Sequence, residues 1–199
     1  MKTRKRQPIV AIMLSTFIMM SCMLPGMISR DAEPEGPMPV METDTDKVLE
    51  VLSGTGWQPL QALAPEQYTE EDYARPGTLT YNVIVTADLP TYFSYGWCAV
   101  DEATLRQNFE HIEIKLYINH EEFPPDAVHN LSFTSSSGLL CVDFGALMSD
   151  WPEGEYKLEA VATFDETIND GLDDYAAGDY IFVYNVVVKK AKEGAFAPS

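Results

Sequence analysis

The side chains with the most chemistry to offer lie between residues 92 and 174. The loop Asp165 to Asp174 (DETINDGLDD) carries five carboxylates and an asparagine, a density of oxygen donors that suits a hard divalent cation. Its candidate ligands are Asp165, Glu166, Asn169, Asp170, Asp173 and Asp174, and calcium is the cation they would take. The spacing departs from the helix-loop-helix calcium pattern: with Gly171 placed sixth, Ile168 stands third and Ala177 twelfth, where oxygen donors are required. A solvated acidic loop with no cofactor is the simpler reading and the one adopted, with calcium at the edge of a β-structure as the alternative. A second cluster, Tyr92 to Trp97 (YFSYGW), holds Tyr92, Tyr95 and Trp97, which could stack sugar rings if they stood in a row on one open face. Core packing is the preferred expectation, because Trp97 adjoins Cys98 and large rings are the main source of buried apolar area. His111, His120 and His129 recur every nine residues and are expected to be exposed and neutral in function, not metal ligands. Ser135 to Ser137 lack the G-x-S-x-G elbow of a serine hydrolase, and no phosphate loop or zinc-type cysteine spacing occurs. No catalytic residues are assigned, and the chain is read as a non-enzyme.

Charge removes another class. The chain holds 31 acidic and 13 basic residues, a net charge of −18, and four of the basic ones fall within the first six positions. From Cys22 onward nine basic side chains face 31 acidic ones, and such a surface repels nucleic acid. Lys2, Arg4, Lys5 and Arg6 precede an apolar stretch from Ile9 to Met20 that is too short to span a bilayer by itself, which is the pattern of an export signal. The residues Met19, Met20, Ser21 and Cys22 resemble the lipobox of bacterial lipoproteins, in which an apolar residue at −3 and a small one at −1 precede the lipidated cysteine. The resemblance implies that residues 1–21 are a signal peptide and that Cys22 anchors the chain, by lipid, on the outer side of a bacterial membrane. Two alternatives stay open: an uncleaved anchor over Ile9 to Ile28, and ordinary signal cleavage. With the positive charges held inside, each delivers the remainder out of the cytoplasm. If Cys22 takes lipid, Cys98 and Cys141 are left as a pair in an oxidising compartment, and a disulfide between them is expected.

Residues 22–45 interleave Pro25, Pro34, Pro37 and Pro39 with acidic side chains and read as an extended tether. Asp46 to Leu52 reads as a short helix capped by Asp44 or Thr45, with a first strand as the alternative that period alone does not exclude. Alternation of apolar and polar residues predicts half-buried strands over Thr78 to Thr86, His111 to Asn119 and Glu155 to Phe164. Tyr180 to Val188 is apolar at nearly every position and is expected to be a central strand covered on both faces. Phe93 to Val100, Asn130 to Ser135 and Leu139 to Phe144 are shorter candidates. Asp101 caps a predicted helical insertion over Glu102 to Phe109, with Leu105 and Phe109 on one face. Turn signals such as Pro76-Gly77, Pro124-Pro125 and Pro152-Glu153-Gly154 separate the runs. The expectation is a mainly β domain over residues 46–190, an antiparallel β-sandwich with one short helical insertion, followed by a frayed tail at 191–199.

The stretch WPEGEYKLEA from Trp151 resembles the P-x-G-x-Y turn that enters the penultimate strand of immunoglobulin-like and fibronectin-like domains. That resemblance implies an immunoglobulin-like sandwich in which Tyr156 anchors the corner and Tyr180 to Val188 is the last strand. The immunoglobulin pattern of two cysteines flanking a central tryptophan is absent. More broadly the chain resembles uncharacterised bacterial surface lipoproteins with one such domain, a likeness that carries no activity. The function expected is that of a membrane-anchored, non-enzymatic binding module whose partner is an unknown envelope protein or polysaccharide. A carbohydrate-binding or carbohydrate-active module and a calcium-dependent adhesion module are the alternatives.

Overall fold

A computed structural model describes residues 37–190. In chain order they form β1 (Val40–Met41), α1 (Thr45–Ser53), β2 (Gln58–Pro59), a 3-10 turn (Leu60–Leu63), α2 (Glu70–Tyr73), β3 (Gly77–Thr86) and β4 (Thr91–Ala99). After these come α3 (Glu102–Asn108), β5 (Ile112–Ile118), β6 (Glu121–Glu122), β7 (His129–Thr134), β8 (Leu140–Ser149) and β9 (Gly154–Phe164). A small hairpin of β10 (Ile168–Asn169) and β11 (Asp174–Tyr175) precedes the last strand, β12 (Gly178–Lys189). One five-stranded sheet runs β3-β12-β9-β5-β6; in the other, β8 pairs with β4 on one side and with β1 and β7 on the other, while β2 adds to β4.

Period-two alternation makes these strands amphipathic, and the two sheets bury their apolar faces against each other. Phe93, Ala146 and Met148 from one sheet meet Tyr81, Val83, Leu116, Tyr156, Leu158, Ala160, Tyr184 and Val186 from the other in one contiguous core. Phe93 sits edge-on to Tyr184 with ring centroids 5.6 Å apart, and Trp97 meets Phe164 likewise at 5.2 Å. Side chains of this size each contribute about 1.5–3 kcal/mol when fully buried. Tyr156 holds its corner as expected: its hydroxyl lies 3.1 Å from the Pro152 carbonyl and 3.2 Å from that of Pro37, and its ring packs edge-on against Trp151. The helix expectations also hold. Asp44 caps α1 through the Asp46 amide, and Asp101 caps α3 through the Thr104 amide at 2.8 Å.

Four expectations need correction. Pairing is not wholly antiparallel, since β3 runs parallel to β12 over ten register pairs and β2 runs parallel to β4. The first long strand adds to the last one at the edge of the sheet, a long-range pairing that no local turn specifies. The fold also begins before the residues assigned to it: Pro39 is buried, Val40 and Met41 pair with Ser149 and Met148, and Asp44 caps α1. Residues 37–45 therefore belong to the sandwich, and only the earlier part of the expected tether lies outside the described residues. Strand β12 is central by pairing, yet its outer face is only half covered, with Asn185 exposed. The short helix α2, closed by a Thr69–Asp72 capping box, was not foreseen. Cys22, the expected signal peptide and the tail at 191–199 also lie outside the described residues.

Candidate ligand cleft

Strand β4 is paired with β8 along its length, and among the described residues its other side meets only Gln58 and Pro59 of β2, opposite Thr91 and Tyr92. Pro59 has no amide proton to extend the ladder, and the chain leaves the sheet there for the 3-10 turn. Among the described residues that margin of β4 has no strand partner from Ser94 to Ala99, and just beyond it the Val100 amide donates to the Asp170 carbonyl. The departing segment is pinned. Gln58 is buried, and its side-chain amide reaches the Thr86 carbonyl at 2.9 Å, the Leu89 carbonyl at 3.2 Å and the Thr91 hydroxyl at 3.0 Å. Leu60 is fully buried, and the Gln61 amide donates to the Ser94 carbonyl on the open margin. Tyr68 and Tyr73 secure the next stretch to β3, the first through the Thr80 amide at 2.9 Å and the second through the Tyr81 hydroxyl at 2.6 Å.

Between this segment, α1 and the two sheets lies a cleft of about 850 Å³. Trp57, Tyr92 and Phe133 line its part over the outer face of the sheet, and Tyr95, Phe182 and Tyr184 line the part that opens between the sheets. Leu49, Tyr73 and Phe133, which are 48%, 41% and 51% exposed, belong to this lining too. Three of the molecule's large exposed apolar side chains thus border one concavity, the surface signature of a binding site.

Register decides the floor. Tyr92, Ser94, Gly96 and Cys98 of β4 stand opposite Leu147, Gly145, Asp143 and Cys141 of β8. A Cβ on Gly145 would fall 2.3 Å from Cζ and Oη of Tyr92, so the phenol lies across that glycine. A Cβ on Gly96 would fall 3.0 Å from Oδ1 of Asp143, whose carboxylate leans over it. Burial holds the Asp143 carboxyl above its ordinary value, an effect only partly opposed by hydrogen bonding with Ser94 and Tyr92. The Tyr92 hydroxyl is itself buried beside that carboxylate, at a geometry short of a full hydrogen bond. Among the described residues no ion pair reaches Asp143. Among the described residues, Glu66 and Asp143 are the charged ones of the lining, and no lysine, arginine or histidine borders it.

The residues singled out from sequence are distributed differently. Tyr95 and Trp97 point to the inter-sheet core while Tyr92 points to the outer face, and Tyr92 and Trp97 are 5% and 6% exposed. The aromatic row needed for a sugar platform does not form, because alternation sends consecutive strand residues to opposite faces. Cys98 and Cys141 are bonded, as expected, across directly opposed positions of β4 and β8 with Cα atoms 4.0 Å apart.

In the acidic loop the oxygens are engaged internally. Asp170 Oδ1 accepts from the Leu172 and Asp173 amides, Asp170 Oδ2 accepts from the Tyr175 hydroxyl, and Asn169 bonds the Gly171 amide and Asp174. Asp165 and Glu166 turn instead to His111, at 2.9 and 3.4 Å. Among the described residues no three acidic, histidine or cysteine side chains converge on a cation position. His120 is exposed, but His129 corrects the expectation: it is buried, with Nε2 2.8 Å from the Glu42 carbonyl and Nδ1 2.9 Å from the Thr45 hydroxyl. Asp143, Gly96 and Gly145 were missed. The one legible signal was a single aspartate inside the otherwise apolar strand LLCVDFGALM.

No protein-family model matches the chain, and no curated protein matches it. Among solved structures, the chain is similar to PbICP-C, solved in complex with falcipain-2, at 13% identity and a TM-score of 0.33, covering 58% of this chain and 92% of that one. It is also similar to the cysteine protease inhibitor EhICP2 from Entamoeba histolytica, at 10% identity and a TM-score of 0.28, covering 68% of this chain and all of that one. Both scores are below those that accompany a shared fold.

Proposed function

We propose that this chain is an exported, lipid-anchored, non-enzymatic binding module that takes its ligand in the cleft at the open margin of β4. The observation that carries the reading is Asp143. A half-buried carboxylate with no cation beside it among the described residues is costly to the fold, and a titratable group perturbed by partial burial within a concave, aromatic-lined site marks a candidate binding site. The export and anchoring parts rest on the cationic leader, the apolar run and the Ser21-Cys22 junction. The immunoglobulin-like reading of the sandwich is supported by the sheet orders β7-β8-β4 and β3-β12-β9-β5-β6 and by the corner hydroxyl of Tyr156.

Two measurements test it. The tagged full chain and its Gly96→Leu variant, which fills the cleft floor, are cross-linked in the native envelope; a partner recovered by the first and lost by the second is expected, and equal recovery removes the cleft from the account. Cys22→Ser should release the chain from the membrane fraction and remove lipid from its intact mass. Unchanged fractionation and mass would leave the lipid anchor without support.

A further inference from the structure

The cleft pairs two kinds of lining that are seldom combined without a ligand in view: ring faces and uncompensated negative charge. On the outer face of the sheet, Trp57 meets Tyr92 edge-on at 6.3 Å, and both line the cleft with Phe133 and Asp143. Directly opposite Asp143 on its two neighbouring strands stand Gly96 and Leu131, neither of which offers a charge. An organic cation gains from both features at once, by attraction to an aromatic ring and by pairing with a carboxylate half shielded from water.

The open margin of β4 supplies the second half of the argument. Among the described residues its backbone has no strand partner on that side from Ser94 to Ala99, and the Ser94 carbonyl is already directed outward, where it accepts from Gln61. Gly96 is exposed and has no side chain to keep another backbone away. An exposed strand margin beside a pocket recognises an extended chain by main-chain hydrogen bonds, and specificity comes from alternate side chains entering the pocket. We propose that an extended peptide pairs with β4 along Ser94 to Cys98 and places a lysine or arginine side chain on Asp143, beside the Trp57 ring. This rests on the cleft being the ligand site. It adds the ligand's chemistry: cationic, polypeptide and extended.

The test uses the full chain in detergent and pentapeptides of sequence acetyl-Val-Thr-X-Thr-Val-amide, with X arginine, lysine, citrulline, glutamate or leucine. Binding is read by calorimetry and by Trp57 emission. The arginine and lysine peptides should bind saturably, with the citrulline, leucine and glutamate peptides about tenfold or more weaker. Asp143→Asn should erase the preference for arginine over citrulline, and a melting temperature equal to or above that of the unaltered chain shows that the variant is folded. Equal binding of the arginine and citrulline peptides, or a preference that survives Asp143→Asn, overturns the cationic assignment while leaving the cleft as a ligand site. Arginine amide binding as tightly as the arginine peptide overturns the polypeptide assignment, and no binding by any of the five overturns the proposal. Loss of the cleft reading itself appears elsewhere, as equal partner recovery by the Gly96→Leu chain.

Discussion

Replacing Gly145 by alanine tests the construction of the cleft floor with a single methyl group. Gly145 does not occupy the left-handed backbone region, so alanine meets no backbone strain there; what it meets is the Tyr92 ring, with Cζ and Oη 2.3 Å from the new carbon, and Ser94 Cβ at 2.7 Å. Ordinary contact begins more than an ångström farther out, and the ring cannot simply retreat, because Val48, Leu147 and Trp57 pack around it. Overpacking of this degree costs about 1–3 kcal/mol. In urea the unfolding midpoint should fall with no change in slope, since the surface exposed on unfolding is nearly the same. Tyr92→Leu shortens the obstructing side chain, so the double variant should be more stable than the sum of the two single losses by about 1 kcal/mol. An unchanged midpoint for Gly145→Ala, or strict additivity in the cycle, would refute the close approach of Tyr92 to β8 and the cleft shape that depends on it.

Three further outcomes are expected. Cys98→Ser with Cys141→Ser should lose about 2–4 kcal/mol: the bridge closes a loop with a sequence separation of 43, which the chain-entropy model places at about 4 kcal/mol before native strain is subtracted. Alkylation of the unfolded, unreduced protein should label neither cysteine. The bond to Asp165, with help from Glu166, holds the His111 imidazole above its ordinary value, so its stabilising effect is complete below about pH 6.5 and is lost as the pH rises through the raised value. A proton NMR titration should show that elevated midpoint, and Asp165→Asn should lower it. For Asp143 stability runs in the same direction with pH: the folded state keeps a proton that the unfolded chain releases near pH 3.9, so stability falls as the pH rises from there through the raised value. Asp143→Asn should flatten that fall and leave the protein more stable than the unaltered chain at neutral pH, as read by denaturant midpoints across the range.

Much of this molecule was legible in one dimension because the governing interactions are local. Alternation in His111 to Asn119 and Glu155 to Phe164 announced β5 and β9, since a half-buried strand imposes period two whatever its neighbours are. Asp44 and Asp101 announced helix starts because a cap needs only a side-chain oxygen within reach of an amide two or three residues on. Cys98 and Cys141 followed from elimination and compartment, and Tyr156 from its turn. What escaped depends on partners distant in sequence. The parallel pairing of β3 with β12 joins residues about a hundred positions apart, and nothing within either strand states the direction of its neighbour. His129 looks like any polar strand residue until Glu42 and Thr45 close over it. The cleft depended on tertiary structure most of all. Its walls come from segments around residues 57, 73, 92, 131, 143 and 182, and its floor depends on the β4 and β8 register that sets Gly96 opposite Asp143 and Ser94 opposite Gly145. A slip of one residue would turn Asp143 into the core and Tyr92 away from the cleft. Composition and period decided which residues became strands, while long-range register decided which of their side chains share a site.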